Sequence, residues 1–134
     1  MKSIKRLNIS LLACSIMICM LATSCQEKEK SVVDVDETPV STWTDRISND
    51  ENVVVIDVRT PEEMENGVIP GALKINFHDA DFEAQIGALD KQKTYVVYCR
   101  SGGRAGKTCD KMKKLGFDNL YNYGGYERWL KEGK

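Results

Sequence analysis

The segment Cys99-Arg100-Ser101-Gly102-Gly103-Arg104 holds the residue types best suited to chemistry in this chain. A cysteine thiolate is a strong nucleophile. Gly102 and Gly103 let backbone N–H groups turn inward, and a helix starting there would add the partial positive charge of its N-terminus. Arg100 and Arg104 bring two permanent cations. These features stabilise negative charge on sulfur without an adjacent histidine base. The same cradle would accept a small anion or hold the charge of a persulfide. A lone cysteine is more often a core residue, but the five residues after Cys99 are two arginines, two glycines and a serine, which do not make a core.

Other polar residues are weaker candidates. Arg59 would serve equally to bind an anion at the loop mouth or to pair with Asp57 or Glu63. Asp57 reads as a hydrogen-bonding support rather than an acid or base. Lys107 reads as an exposed helical lysine. Cys109 could resolve an oxidised Cys99, but it shares an apolar helix face with Ala105 and Met112, which favours a core role. Trp43 and Trp129 read as core, and His78, the only histidine, as a loop residue. Without further histidines or a CxxC pair, the ligand set of a zinc site is missing. No metal and no cofactor are expected.

The elements that must position Cys99 follow from hydrophobic pattern. Val53-Val54-Val55-Ile56 is a β-branched run without alternation, as in a parallel strand buried on both faces, with Asp57 and Arg59 at its C-terminal end. Thr60-Pro61-Glu62-Glu63 predicts a capped helix start that Asn66-Gly67 soon ends. Ala72 to Asn76 predicts a short strand, and Phe82, Ile86 and Leu89 one helix face. Thr94 to Tyr98 is the next buried strand and Arg104 to Leu115 the next helix, closed by Gly116 with Phe117 folding back on Met112. Leu120 to Tyr123 predicts a last strand, and Tyr126, Trp129 and Leu130 a last helix after Gly124-Gly125. A short helix is also expected around Val40, Trp43 and Ile47. Alternating strands and helices imply an α/β fold with a mostly parallel sheet. Ligands in such sheets sit beyond the strands' C-terminal ends, where Asp57, Arg59 and Cys99 fall.

The N-terminus reads differently. Lys2, Lys5 and Arg6 precede an apolar run from Leu11 to Leu21, then Ala22, Thr23, Ser24 and Cys25. Residues 1–24 resemble a bacterial lipoprotein signal, which makes Cys25 the lipidated first residue of the mature chain. Residues 25–39 then form a charged tether, and 40–134 the domain. The chain carries 19 basic and 20 acidic residues; removing 1–24 takes three basic residues and no acid, leaving a formal charge of −4. That balance offers no general attraction for nucleic acid. The expected location is the bacterial cell envelope, outside the cytoplasm, held to the membrane by lipid on the periplasmic side or the cell surface. A monomer is expected.

Four landmarks, in order, give a more specific reading: Asp57-Val58-Arg59; Gly67-Val68-Ile69-Pro70-Gly71-Ala72; Cys99 to Arg104; and Gly124-Gly125 with Trp129. With these, the chain from about Val40 to Lys134 resembles the rhodanese family. The resemblance implies a central, mostly parallel five-stranded sheet with helices on both faces. It implies a ping-pong reaction in which Cys99 takes sulfane sulfur from thiosulfate or a persulfide and a thiol or cyanide removes it. The active-site loop would be Arg100, Ser101, Gly102, Gly103 and Arg104, with Arg59 contributing to anion binding and Asp57 supporting. Val68 stands where the family often has histidine, a position expected to be structural.

Rhodanese-fold phosphatases place five residues between cysteine and arginine, whereas Cys99 and Arg104 are separated by four. The smaller loop suits sulfur better than a phosphoryl group, which disfavours phosphatase-like or arsenate-handling chemistry. The alternative of a different class is a binding module: a partner-specific sulfur carrier or redox sensor with little thiosulfate turnover.

Overall fold

The computed structural model describes residues 35–133. The signal, Cys25 and the tether up to residue 34 lie outside the described residues. The element order is α1 (Val40–Asn49), β1 (Val53–Asp57), α2 (Pro61–Met64), β2 (Leu73–Lys74), α3 (Phe82–Gly87), β3 (Thr94–Cys99), α4 (Gly103–Lys114), β4 (Leu120–Gly125) and α5 (Tyr126–Glu132). All pairings are parallel, in the order β2-β1-β3-β4.

Strand alternation sorts the side chains into two cores. On one face, Ile56, Val58, Tyr95, Val97 and Cys99 pack with Phe82 and Ile86 of α3, Ala105, Cys109 and Met112 of α4, and Phe117. On the other, Val53, Val55, Val96, Tyr98 and Tyr123 pack with Val40 and Trp43 of α1. The uninterrupted β-branched run of β1 is explained by these two covered faces. Trp43 is fully buried, while Trp129 lies partly buried at the edge of the second core. Placing Cys99 two residues after Val97 aims its side chain at the face covered by α4.

Helix ends are fixed as the sequence suggests. Thr60 caps α2 in a complete capping box with Glu63. At the end of α4, Gly116 adopts φ +88°. The Gly116 N–H donates to Lys113 O and the Phe117 N–H to Met112 O. These two bonds close the helix in a Schellman motif and bring Phe117 back to Met112.

The expected five strands are four among the described residues. Before α1 the chain runs beside β4, where the Asp36 N–H donates to Asn122 O at 2.7 Å. Asp36 Oδ1 then accepts both the Thr38 N–H and the Thr38 hydroxyl, an Asx-type turn that diverts the chain into α1 instead of along β4. Residues 35–39, read from sequence as the end of a tether, are therefore bonded to the domain. Arg128 reinforces this by donating to Asp36 O and Thr38 O. No helix among the described residues is long and apolar enough to cross a membrane.

Candidate active site

Cys99 is the last residue of β3, and its side chain is buried beneath the turn into α4. The turn is made at Gly102, which has φ +99°, a backbone conformation that glycine adopts without a Cβ clash. It aims the Gly102 N–H at Cys99 Sγ, 3.0 Å away. The amides of Gly103, Arg104 and Ala105 begin α4, so no intrahelical carbonyl takes them. The sulfur thus takes one backbone donor, the Gly102 N–H, and lies at the N-terminal end of the α4 dipole.

The loop can lie this low because glycines pass beneath it. Cys99 pairs in register with Gly125. A Cβ on Gly125 would stand 2.4 Å from Arg100 O, and one on Gly102 would stand 3.2 Å from Gly124 Cα. Gly124-Gly125, recognised in the sequence as a turn, is also the floor of the Cys99 loop.

The charged candidates separate into three roles. Arg59 is buried and holds Asp57 through several hydrogen bonds, including Nη2 to Oδ2 at 2.6 Å. It also donates to Glu63 O and Gly67 O. Its guanidinium lies 4.2 Å from the centre of the Tyr126 ring. Burial opposes the charge of Arg59, but Asp57 outweighs it and holds Arg59 above its ordinary value. Of the two roles open to Arg59, pairing with Asp57 is the one the geometry displays. Asp57 also accepts from the Tyr98 hydroxyl at 2.6 Å, and that hydroxyl in turn accepts the Ile69 N–H. Asp57 therefore ties β1, β3 and the Gly67–Ala72 turn together.

Arg104 holds Glu63 with both terminal nitrogens, at 2.7 and 2.8 Å. Arg104 pulls the Glu63 carboxyl down to about 2 against the cost of burial, helped by the Thr60 N–H. Glu63 holds Arg104 above its ordinary value, with a smaller contribution from the Cys99 sulfur. Glu63 was visible in the sequence as the capping-box residue and as a candidate partner of Arg59, not of Arg104. The ion pair to Arg104 crosses 41 residues and had no local signal.

Arg100 is exposed and makes no ion pair among the described residues. It lines a cleft of about 290 Å³ with Arg59, Glu63, Asn66, Tyr126 and Glu127. Ser101 and Gly103 are exposed beside it, and Ser101 borders a second hollow with Gly125, Arg128 and Lys131. Cys109 is fully buried, and burial pushes its thiol up to about 12. His78 is exposed in the loop before α3, and Lys107 is exposed on α4. Sequence reading missed Tyr98, Tyr126 and Asn122. The two tyrosines looked like ordinary strand and helix aromatics. The signal for Asn122 was a lone amide between the tyrosines of β4.

This arrangement provides a buried sulfur with one backbone N–H aimed at it, the start of a helix beyond, and an exposed arginine at the mouth. The chain is similar to several known proteins. A sulfurtransferase of Allochromatium vinosum is 31% identical over 100 residues, covering 74% of this chain and 92% of that protein. The crystal structure of the BH2092 protein from Bacillus halodurans matches with a TM-score of 0.61 at 31% identity, covering 72% of each chain. That of a rhodanese-like domain protein from Staphylococcus aureus matches with a TM-score of 0.59 at 25% identity, covering 68% of this chain and 87% of that one. The sequence profile of the Rhodanese-like domain matches residues 40–132, and with it the chain belongs to the rhodanese family.

Proposed function

We propose that this chain is a sulfurtransferase that carries sulfane sulfur on Cys99. Sulfur transfer is what the family and its named relatives support; the carrier residue, the donor and the acceptor are our reading. The observation that carries it is the Gly102 N–H donating to Cys99 Sγ at the start of α4. A thiolate there would attack the outer sulfur of thiosulfate. A new S–S bond forms, the thiosulfate S–S bond breaks, and sulfite leaves with the bonding pair. The negative charge then rests on the outer sulfur of the Cys99 persulfide. An acceptor thiolate or cyanide attacks that sulfur and returns Cys99 as thiolate. Arg100, exposed at the mouth, suits an incoming dianion.

Arg104 in this reading plays two parts: its side chain fixes the loop against α2 through Glu63, and its amide is one of the free donors at the start of α4. Asp57 and Arg59 support the floor. The test is thiocyanate formation from thiosulfate and cyanide. Cys99→Ser should abolish it with the fold retained, and undiminished turnover in that variant would remove Cys99 as the carrier. A phosphate-ester assay should give no turnover.

We also propose that the mature chain is anchored through lipid on Cys25 and works outside the cytoplasm. The support is the order of basic residues, apolar run, small residues and cysteine in residues 1–25. Metabolic labelling with a palmitate analogue should mark the wild type and not Cys25→Ala. Equal labelling of both would contradict this.

A further inference from the structure

β4 contains a polar side chain where a core strand ordinarily has none. Asn122 is 1% exposed and pairs in register with Val97. Burying an amide is unfavourable unless its donors and acceptors are matched. Here the amide nitrogen and the amide oxygen each have a partner in the active-site floor and loop. Asn122 Nδ2 donates to Gly102 O at 3.2 Å. Asn122 Oδ1 accepts the Gly124 N–H at 3.1 Å. Its backbone carbonyl accepts the Asp36 N–H on the outer edge.

A second, independent feature lies at the same place. The pairing of β3 with β4 runs Val97 to Asn122 and then Tyr98 to Gly124, so Tyr123 is an extra residue in the ladder. Such a bulge redirects a strand and the side chains beside it. It brings Gly124 and Gly125 opposite Tyr98 and Cys99, under the loop that Asn122 holds from the side.

We propose that Asn122 is a positioning residue for Cys99. It acts through Gly102: the carbonyl it binds and the N–H that meets Cys99 Sγ flank the same Cα. Gly102 O also accepts the Gly106 N–H at 2.9 Å, so Asn122 and the first turn of α4 share that carbonyl and fix the turn from two directions. Without the amide, Gly102 would be held by α4 alone, and its N–H would lose its fixed aim at the sulfur. The inference rests on the reading of Cys99 as the reactive sulfur.

The test compares the wild-type chain with Asn122→Leu, which has similar volume and no hydrogen-bonding group. The readout is the rate of Cys99 alkylation by iodoacetamide across pH 5–10, located by peptide mass. It is read beside the rate of mass gain from thiosulfate and a thermal midpoint. Loss of one hydrogen bond to a charged sulfur should move the alkylation midpoint to higher pH and slow sulfur loading by about tenfold. A merely structural role would lower the thermal midpoint and leave the alkylation profile of the folded protein unchanged. That result would overturn the proposal. Should the leucine variant not fold, Asn122→Thr decides by the same criteria, since its hydroxyl sits too near the backbone to replace the amide donor. Alkylation requires no sulfur transfer. An absence of loading in wild type would therefore count against the sulfurtransferase reading and leave the Asn122 result to stand or fall on the alkylation profile.

Discussion

At the scale of single residues, the acidic and basic groups around Cys99 are mostly committed to one another. Asp57 takes Arg59 and the Tyr98 hydroxyl, and Glu63 takes Arg104. Arg100, by contrast, faces solvent at the loop and makes no ion pair among the described residues. Arg100→Ala should therefore raise the KM for thiosulfate roughly tenfold with little change in kcat, the effect of removing one charge-assisted contact. A fall in kcat at unchanged KM would place Arg100 elsewhere in the reaction. Glu63 gives a pH prediction. Its carboxyl is held down to about 2 by Arg104, so its ionised form favours the folded state. That stabilisation is present above the usual carboxylate range and is lost as pH falls through 4 towards 2. Because the pair is partly exposed, the contribution is on the order of 1 kcal/mol. Glu63→Gln should flatten this part of the stability–pH curve, and an acid limb identical to wild type would argue that the pair adds nothing. The places of Cys99 and Asp57 at the C-terminal ends of their strands were legible from residue type and position. Arg59 was not resolved, because pairing with Asp57 and binding an anion leave the same trace in a sequence.

Among the elements, α4 and β4 do the positioning. The α4 start at a left-handed Gly102 and its end at Gly116 were both readable from glycines at the two ends of an apolar periodic stretch. The fold class and the strand-helix order were readable for the same reason. The absence of the expected fifth strand among the described residues was not, because Asp36 and Thr38 form a local side-chain turn whose outcome depends on the neighbouring edge of β4. The bulge in β4 was likewise invisible, since Leu120 to Tyr123 reads as a plain strand and only pairing with β3 reveals the extra residue. The glycine floor carries its own prediction. Gly125→Ala puts a methyl group into the space of Arg100 O, backbone against backbone, so the loop or the strand must move. Stability should fall by about 1–3 kcal/mol, as for overpacking in a core, and sulfur transfer should fall with it. Wild-type denaturation and turnover in that variant would mean that the loop does not rest on β4 as described.

The molecule as a whole is a parallel sheet with a core on each face, and one end of that sheet carries the chemistry. Asp57 and Cys99 end β1 and β3, and Gly125 ends β4, so the C-terminal edges of three strands converge on the same corner. Residues 35–38 reach that corner too. A Cβ on Gly124 would stand 3.0 Å from Val35 Cγ1, and Arg128 holds the following carbonyls. The stretch that leads from the proposed lipid anchor thus enters the domain beside the active-site loop. The central claim is that Cys99 carries sulfur, and the most direct measurement is intact mass. The domain lacking residues 1–25 is incubated with thiosulfate and weighed without reductant. A gain of one sulfur atom, about 32 Da, in the wild type and not in Cys99→Ser is the expected signature of covalent catalysis. No gain, with Cys99 shown to be reduced and open to alkylation, would contradict the claim for thiosulfate and turn attention to a partner-specific carrier or redox role.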